Sequence, residues 1–185
     1  DPGARRLRSL DLPYSAYAPM LAARGAEVAA IAGSPTQAST LIRIDTATGR
    51  AALVGRASEH EIDAAYLPPA RVEVFSGRGG REVHAVVYPP THPTQAAPEG
   101  ERPPYIVFVH GGPTGQAMPV LDLTKAYFTS RGLGVIDVNY GGSTGFGRAY
   151  RERLRGQWGV VDVEDCVSAV RALVERGEAD GARLA

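Results

Sequence analysis

Residues 105–114, YIVFVHGGPT, set a histidine, two glycines and a proline at the end of an apolar run, an order suited to acyl-transfer chemistry. The run Tyr105 to Val109, bounded by Pro104 and by paired glycines, reads as a central strand buried on both faces of a parallel sheet. Gly111 and Gly112 lack a Cβ, so the chain can turn sharply there and bring bare N–H groups against a substrate oxygen. A developing oxyanion needs such preorganised donors. The plainer reading, a tight turn after a strand, is outweighed by the strand-then-helix context that follows.

A second stretch, Gly141-Gly142-Ser143-Thr144-Gly145, matches G-x-S-x-G, the turn that exposes a nucleophilic serine. We read Ser143 instead as a pocket wall together with Asn139 and Tyr140. It follows the strand immediately after the glycine loop rather than the one after that, and Asn139 and Tyr140 loosen the turn. No histidine lies beyond His110, so the order serine, acid, histidine cannot be completed and Ser143 would lack its general base. His60, His84, His92 and His110 are too scattered for a zinc site; His84 alternates within an edge strand, while His60 and His92 lie in polar loops. The carboxylates show no nucleotidase or glycosidase pattern. No metal or cofactor is expected.

The elements around these residues alternate. Pro119 suits the first position of a helix, with Val120, Leu123 and Tyr127 on its apolar face, Phe128 widening that face and Gly132 at its end. Gly134 to Val138 reads as a second buried strand and Asn139 to Gly147 as a glycine-rich loop at its carboxyl end, where sites of open α/β sheets gather. A short arginine-rich helix follows near Phe146. A longer one presents Cys166, Val167, Val170, Leu173 and Val174, with Asp162, Glu164 and Asp165 at its N-terminus. Ala182 to Ala185 begin another strand. This order argues for right-handed parallel α/β winding.

Val72–Phe75 and Glu82–Tyr88 predict an antiparallel hairpin on the sheet edge, and residues 89–104 a surface loop. Upstream of Ala70, Glu27–Ala32, Thr40–Asp45 and Arg50–Val54 are strands, with Thr48-Gly49 turning between the last two. Leu12–Arg24 is a short helix or a strand. These short strands fit one blade of a propeller or a small sandwich. Residues 59–69 are a linker, so the chain divides into 1–69 and 70–185.

Formal charge is zero and the pI near 7.1, with no basic stripe of the kind nucleic-acid binding requires. No apolar run approaches the ~20 residues of a membrane span, and the N-terminus lacks a signal-peptide core, so a cytoplasmic protein without membrane contact is expected. Cys166, the only cysteine, forms no internal disulfide and packs as a small apolar residue.

Three stretches in register, HGGPTGQ at 110–116, NYGGSTGFGRAY at 139–150 and GQWGVVDVEDC at 156–166, resemble consecutive motifs of the prolyl oligopeptidase family of serine peptidases. The acylaminoacyl-peptidase and dipeptidyl-aminopeptidase branches are nearest in texture. The resemblance implies an α/β fold, the N-terminal half of an α/β-hydrolase domain preceded by the last antiparallel strands of a β-propeller. It implies hydrolysis of short peptides from the N-terminal side through an acyl-enzyme, with the propeller as a size filter. Gly112 N–H, or in second place Gly111 N–H, would donate to the oxyanion. The strand beginning at Ala182 would lead into the nucleophile elbow, leaving the triad beyond Ala185. The expected partners are a peptide substrate and the remainder of the hydrolase domain, with oligomerisation left open. The chain alone is expected to be inactive and to associate or aggregate. Relatives commonly carry arginine where this chain has Gly141, which puts any pocket role of that arginine in doubt. The alternatives are a carboxylesterase sharing the HGG loop and a non-catalytic interaction module.

Overall fold

A computed structural model of the chain describes residues 7–55 and 62–185. His60 and the first residues of the expected linker lie outside them.

Strands β1 (Ala16–Arg24), β2 (Glu27–Ser34), β3 (Gln37–Asp45) and β4 (Arg50–Gly55) form an antiparallel meander paired in sequence order. The period-two pattern is cleanest in β3, where Thr40, Ile42 and Ile44 turn inward while Leu41 and Arg43 face out. Ile42 and Ile44 pack with Ala30 and Ala32 into a small core covered by Leu10, Leu12 and Tyr14. Between β3 and β4 the Asp45 carboxylate accepts from Ala47 N and Thr48 N at 2.8 and 3.1 Å, and Gly49 closes the turn at φ +72°. Those backbone donors hold the Asp45 carboxyl below its usual range. The undecided segment 12–24 is therefore mainly strand: Pro19 is accommodated because the β1–β2 register shifts between Tyr17 and Leu21.

The second sheet contains β5 (Arg71–Ser76), β6 (Glu82–Tyr88), β7 (Tyr105–Val109) and β8 (Gly134–Asn139) in the order β5-β6-β8-β7. β6 pairs antiparallel with β5 and β8, and β7 runs parallel to β8. The hairpin is present, but only β5 is an edge; β6, which carries His84, is interior. β8 is buried at every position. β7 is not buried on both faces as expected. Its inner neighbour is β8, and on its other side it meets only the segment 183–185, through Tyr105 N to Arg183 O (3.1 Å) and Val107 N to Ala185 O (2.7 Å). Ile106 to Phe108 are half-buried and Val109 is exposed.

Helix α1 (Leu123–Thr129) starts later than Pro119, because the Asp122 side chain caps it by accepting from Thr124 N and Lys125 N. The expected apolar face is only partly inward: Leu123 and Tyr127 are exposed, while Lys125, Ala126 and Thr129 point in and Phe128 packs against Val86, Tyr88 and Val135. Lys125, the only lysine of the chain, has its Nζ 2.6 Å from the Asp137 carboxylate of β8 and 4.9 Å from the centre of the Tyr88 ring. Burial opposes its charge, yet Asp137 and Asp122 hold the ammonium above its ordinary value.

After the short α2 (Arg148–Glu152), α3 (Val161–Glu175) covers the sheet. Val161, Ala169, Val170 and Leu173 pack against Phe75, Val83, Tyr105, Ile136 and Val138. Its inner face differs from the sequence expectation, since Val167 is exposed and Asp165 fully buried. Cys166 is half-buried, and burial together with the carboxylates of Asp165 and Asp162 pushes its thiol up to about 12. An aromatic disulfide reagent at pH 7–8 is thus expected to modify Cys166 only on the timescale of local opening. Immediate stoichiometric colour release from the native protein would contradict that packing.

The two sheets touch through the segment before α1, where Leu121 N donates to Ser34 O at 2.7 Å and Ser15 Oγ to Pro119 O at 3.2 Å. Among the described residues no helix is long and apolar enough to cross a membrane.

Candidate active site

The loop 110–117 leaves the carboxyl end of β7. Gly112 has φ +57°, a left-handed conformation that L side chains adopt at a cost, and a Cβ at Gly111 or Gly112 would meet nothing within 4 Å. The outer side of the loop is therefore open. Its inner side is tight: a Cβ at Gly115 would lie 2.9 Å from both Gly111 O and His110 Nδ1. Gly115 N returns to Gly112 O and completes the turn.

Residues at the end of β8 hold this loop from behind. Asn139 pairs with Ala117 at both its amide atoms, Oδ1 accepting from Ala117 N at 2.8 Å and Nδ2 donating to Ala117 O at 3.0 Å. Tyr140 donates its hydroxyl to His110 O at 3.0 Å and stacks on the imidazole with ring centres 4.7 Å apart. Ser143 Oγ lies 2.7 Å from His110 Nε2 and donates to Tyr140 O at 2.8 Å. Thr144 N donates to Gly115 O at 2.9 Å. Tyr150 supports the strand end by donating to Asn139 O, and burial pushes its phenol up to about 12.

The placement corrects two sequence expectations. Asn139, Tyr140 and Ser143 are 2%, 4% and 0% exposed, so they are struts behind the loop rather than a wall facing an open pocket. Ser143 also has a histidine beside it, which an argument from chain order could not see. It still does not present a nucleophile, because its hydroxyl is sealed from solvent and its one proton is committed to a carbonyl. Gly111 and Gly112 are the expected donors that do lie on the open side of the loop.

Gly141 is explained by packing. A Cβ there would lie 2.8 Å from Val161 Cγ1 and 3.1 Å from Asp165 Oδ2, while its N–H donates to that carboxylate at 2.8 Å. Arg81 Nε reaches the other Asp165 oxygen at 2.9 Å, so the buried carboxylate is paired on both sides. A side chain at 141 does not fit this arrangement.

The sequence reading missed Thr144, whose threonine-after-serine position was the available signal, and Trp158. The latter is exposed at the rim of an open groove of about 460 Å³ that Pro113, Thr114, Gly142, Leu154 and Arg155 also line. A lone tryptophan in a polar G-Q-W-G turn was the sign of it. His84 stacks on Phe146 at 4.1 Å, and burial lowers its basicity. His92 Nδ1 accepts from Thr94 N and Gln95 N at 3.2 and 3.1 Å. No group of three metal-ligating side chains occurs among the described residues.

A glycine-turned donor loop at the carboxyl end of a parallel strand, with α-helices beside a mixed sheet, is the arrangement of acyl-transfer hydrolases. Residues 119–185 match the model of the prolyl oligopeptidase family. The fold of the chain superposes on the Mycobacterium tuberculosis puromycin-hydrolyzing peptidase with a TM-score of 0.95 and 57% identity, covering 100% of this chain and 28% of that one. A puromycin hydrolase, solved as its S511A mutant complexed with PGG, matches with a TM-score of 0.95 and 50% identity over 100% of this chain and 28% of its own. The acylamino-acid-releasing enzyme of Arabidopsis thaliana is 38% identical over 85 residues, 46% of this chain and 11% of that protein. The chain thus spans 28% or less of the length of these relatives.

Proposed function

We propose that the full-length protein carrying these 185 residues is a serine peptidase that cleaves short peptides and aminoacyl amides from the N-terminal side through an acyl-enzyme. In this reading residues 1–69 are the end of a β-propeller and a linker, residues 70–185 are the first half of an α/β-hydrolase domain, and the triad is supplied from outside the chain. The observation that carries it is the open, left-handed Gly112 on a loop clamped by Asn139, Tyr140, Ser143 and Thr144. Attack on a substrate carbonyl places negative charge on its oxygen, and Gly112 N–H is the donor available to receive it. Because the loop is held by buried hydrogen bonds, little reorganisation is needed when that charge forms.

The puromycin-hydrolysing relatives add puromycin to the candidate substrates. A cytoplasmic site of action completes the proposal and is read by fractionation. The test is incubation of the full-length protein with puromycin, aminoacyl anilides and simple nitrophenyl esters. Amino acid release from puromycin and anilides, stopped by a serine-directed fluorophosphonate, is the expected result. Turnover of the esters alone would favour a carboxylesterase, and turnover of neither an interaction module.

A further inference from the structure

We propose that His110, Tyr140 and Ser143 form a closed hydrogen-bonded cycle that fixes the backbone of Gly111 and Gly112, making them positioning residues for the peptidase reaction on which this inference rests. The directions of the bonds follow from what each atom can do. Tyr140 O can only accept, so the Ser143 hydroxyl, 2.8 Å away, spends its single proton there. Ser143 Oγ must then accept from His110 Nε2 at 2.7 Å, which puts the imidazole proton on Nε2 and leaves the longer 3.3 Å approach of Nδ1 to Gly111 O without one. The Tyr140 hydroxyl donates to His110 O at 3.0 Å and returns the cycle to its start.

The carbonyl so held belongs to the same planar peptide unit as Gly111 N–H, so fixing His110 O fixes the direction of that amide and the point from which the chain enters Gly111 and then Gly112. Stacking of the Tyr140 ring on the imidazole removes the remaining freedom of the histidine. Tyr140 and Ser143 are sealed from water, where a bond once formed meets no competitor and each bond polarises the next. Two glycines with open space around them would otherwise be the most mobile backbone of the site. The cycle explains why a serine and a histidine in bonding contact perform no nucleophilic chemistry here.

The experiment compares Tyr140→Phe, Ser143→Ala, His110→Gln and His110→Ala in the full-length protein. Tyr140→Phe and Ser143→Ala are expected to lower kcat roughly ten- to a hundredfold with KM within about twofold, as for a misplaced transition-state donor. The double variant should be little worse than the weaker single one, since opening a cycle once removes its effect. His110→Gln, whose amide N–H can still reach Ser143, should retain more activity than His110→Ala. Fluorophosphonate labelling of Ser143→Ala should be slower but reach the same stoichiometry as in the wild type.

A raised KM with unchanged kcat would make these residues substrate contacts, loss of labelling would make Ser143 the nucleophile, and a fall in melting temperature with full kcat per folded molecule would make them merely structural; each overturns the cycle. Amide hydrogen exchange gives a readout independent of activity. Exchange at Gly115 and Thr144, whose N–H groups donate to Gly112 O and Gly115 O within this loop, should quicken in Tyr140→Phe, and unchanged exchange would overturn the inference. A wild-type protein without amide or ester hydrolysis would sink the peptidase reading instead, leaving the cycle to the exchange measurement.

Discussion

Gly112→Val in the full-length protein is expected to lower kcat about a hundredfold while KM changes far less, by comparison with the loss of one oxyanion donor. The cause is the backbone, not crowding: an added Cβ at Gly112 meets nothing within 4 Å, but φ is +57°. A β-branched residue resists that region by about 1–2 kcal/mol, so the loop rotates and the N–H turns away from the substrate oxygen. Gly112→Ala, with a smaller penalty, should fall between. Steady-state kinetics on an aminoacyl anilide decide it. A sharp rise in KM with kcat intact would make the loop a binding wall and remove the oxyanion assignment.

The second large effect is on stability. Gly134 begins β8 against the ring of Tyr105, and a Cβ at that position would lie no more than 2.5 Å from its Cζ, Cε2 and Cε1. Tyr105 cannot step aside, because it is 2% exposed and part of the main core between β7 and α3. Gly134→Ala is therefore expected to destabilise by about 3 kcal/mol, the upper end of ordinary overpacking costs. Its urea midpoint should fall accordingly, and Tyr105→Val in the same chain should restore part of the loss. A Gly134→Ala protein as stable as the wild type would mean that Tyr105 does not lie over Gly134.

What could be read from the sequence were features written locally. β8 announces itself as an unbroken apolar run, the Thr48-Gly49 turn by its residues, and the turn after β7 by two glycines following a strand. What could not be read depends on distant partners. α1 starts at Leu123 rather than near Pro119 because the Asp122 side chain caps it, while the segment before it is held to the other sheet by Leu121 N donating to Ser34 O. Asp165 looks like an acid at a helix N-terminus, yet its partner Arg81 lies 84 residues away and draws it into the interior. Ser143 and His110 are 33 residues apart, with the histidine first, so a test based on chain order could not find their contact. Asn139, Tyr140 and Ser143 read from sequence as a pocket wall, whereas they lie buried behind the loop, because burial of polar side chains is decided by the hydrogen bonds waiting for them.

The most direct measurement is a crystal structure of the full-length protein carrying a peptide boronate on its nucleophilic serine, which mimics the tetrahedral intermediate. One boronate oxygen is expected within about 2.7–3.1 Å of Gly112 N, with the His110–Tyr140–Ser143 cycle intact behind it. A boronate oxygen bound by other donors, with Gly112 N turned toward solvent, would contradict the assignment of this loop as the oxyanion site.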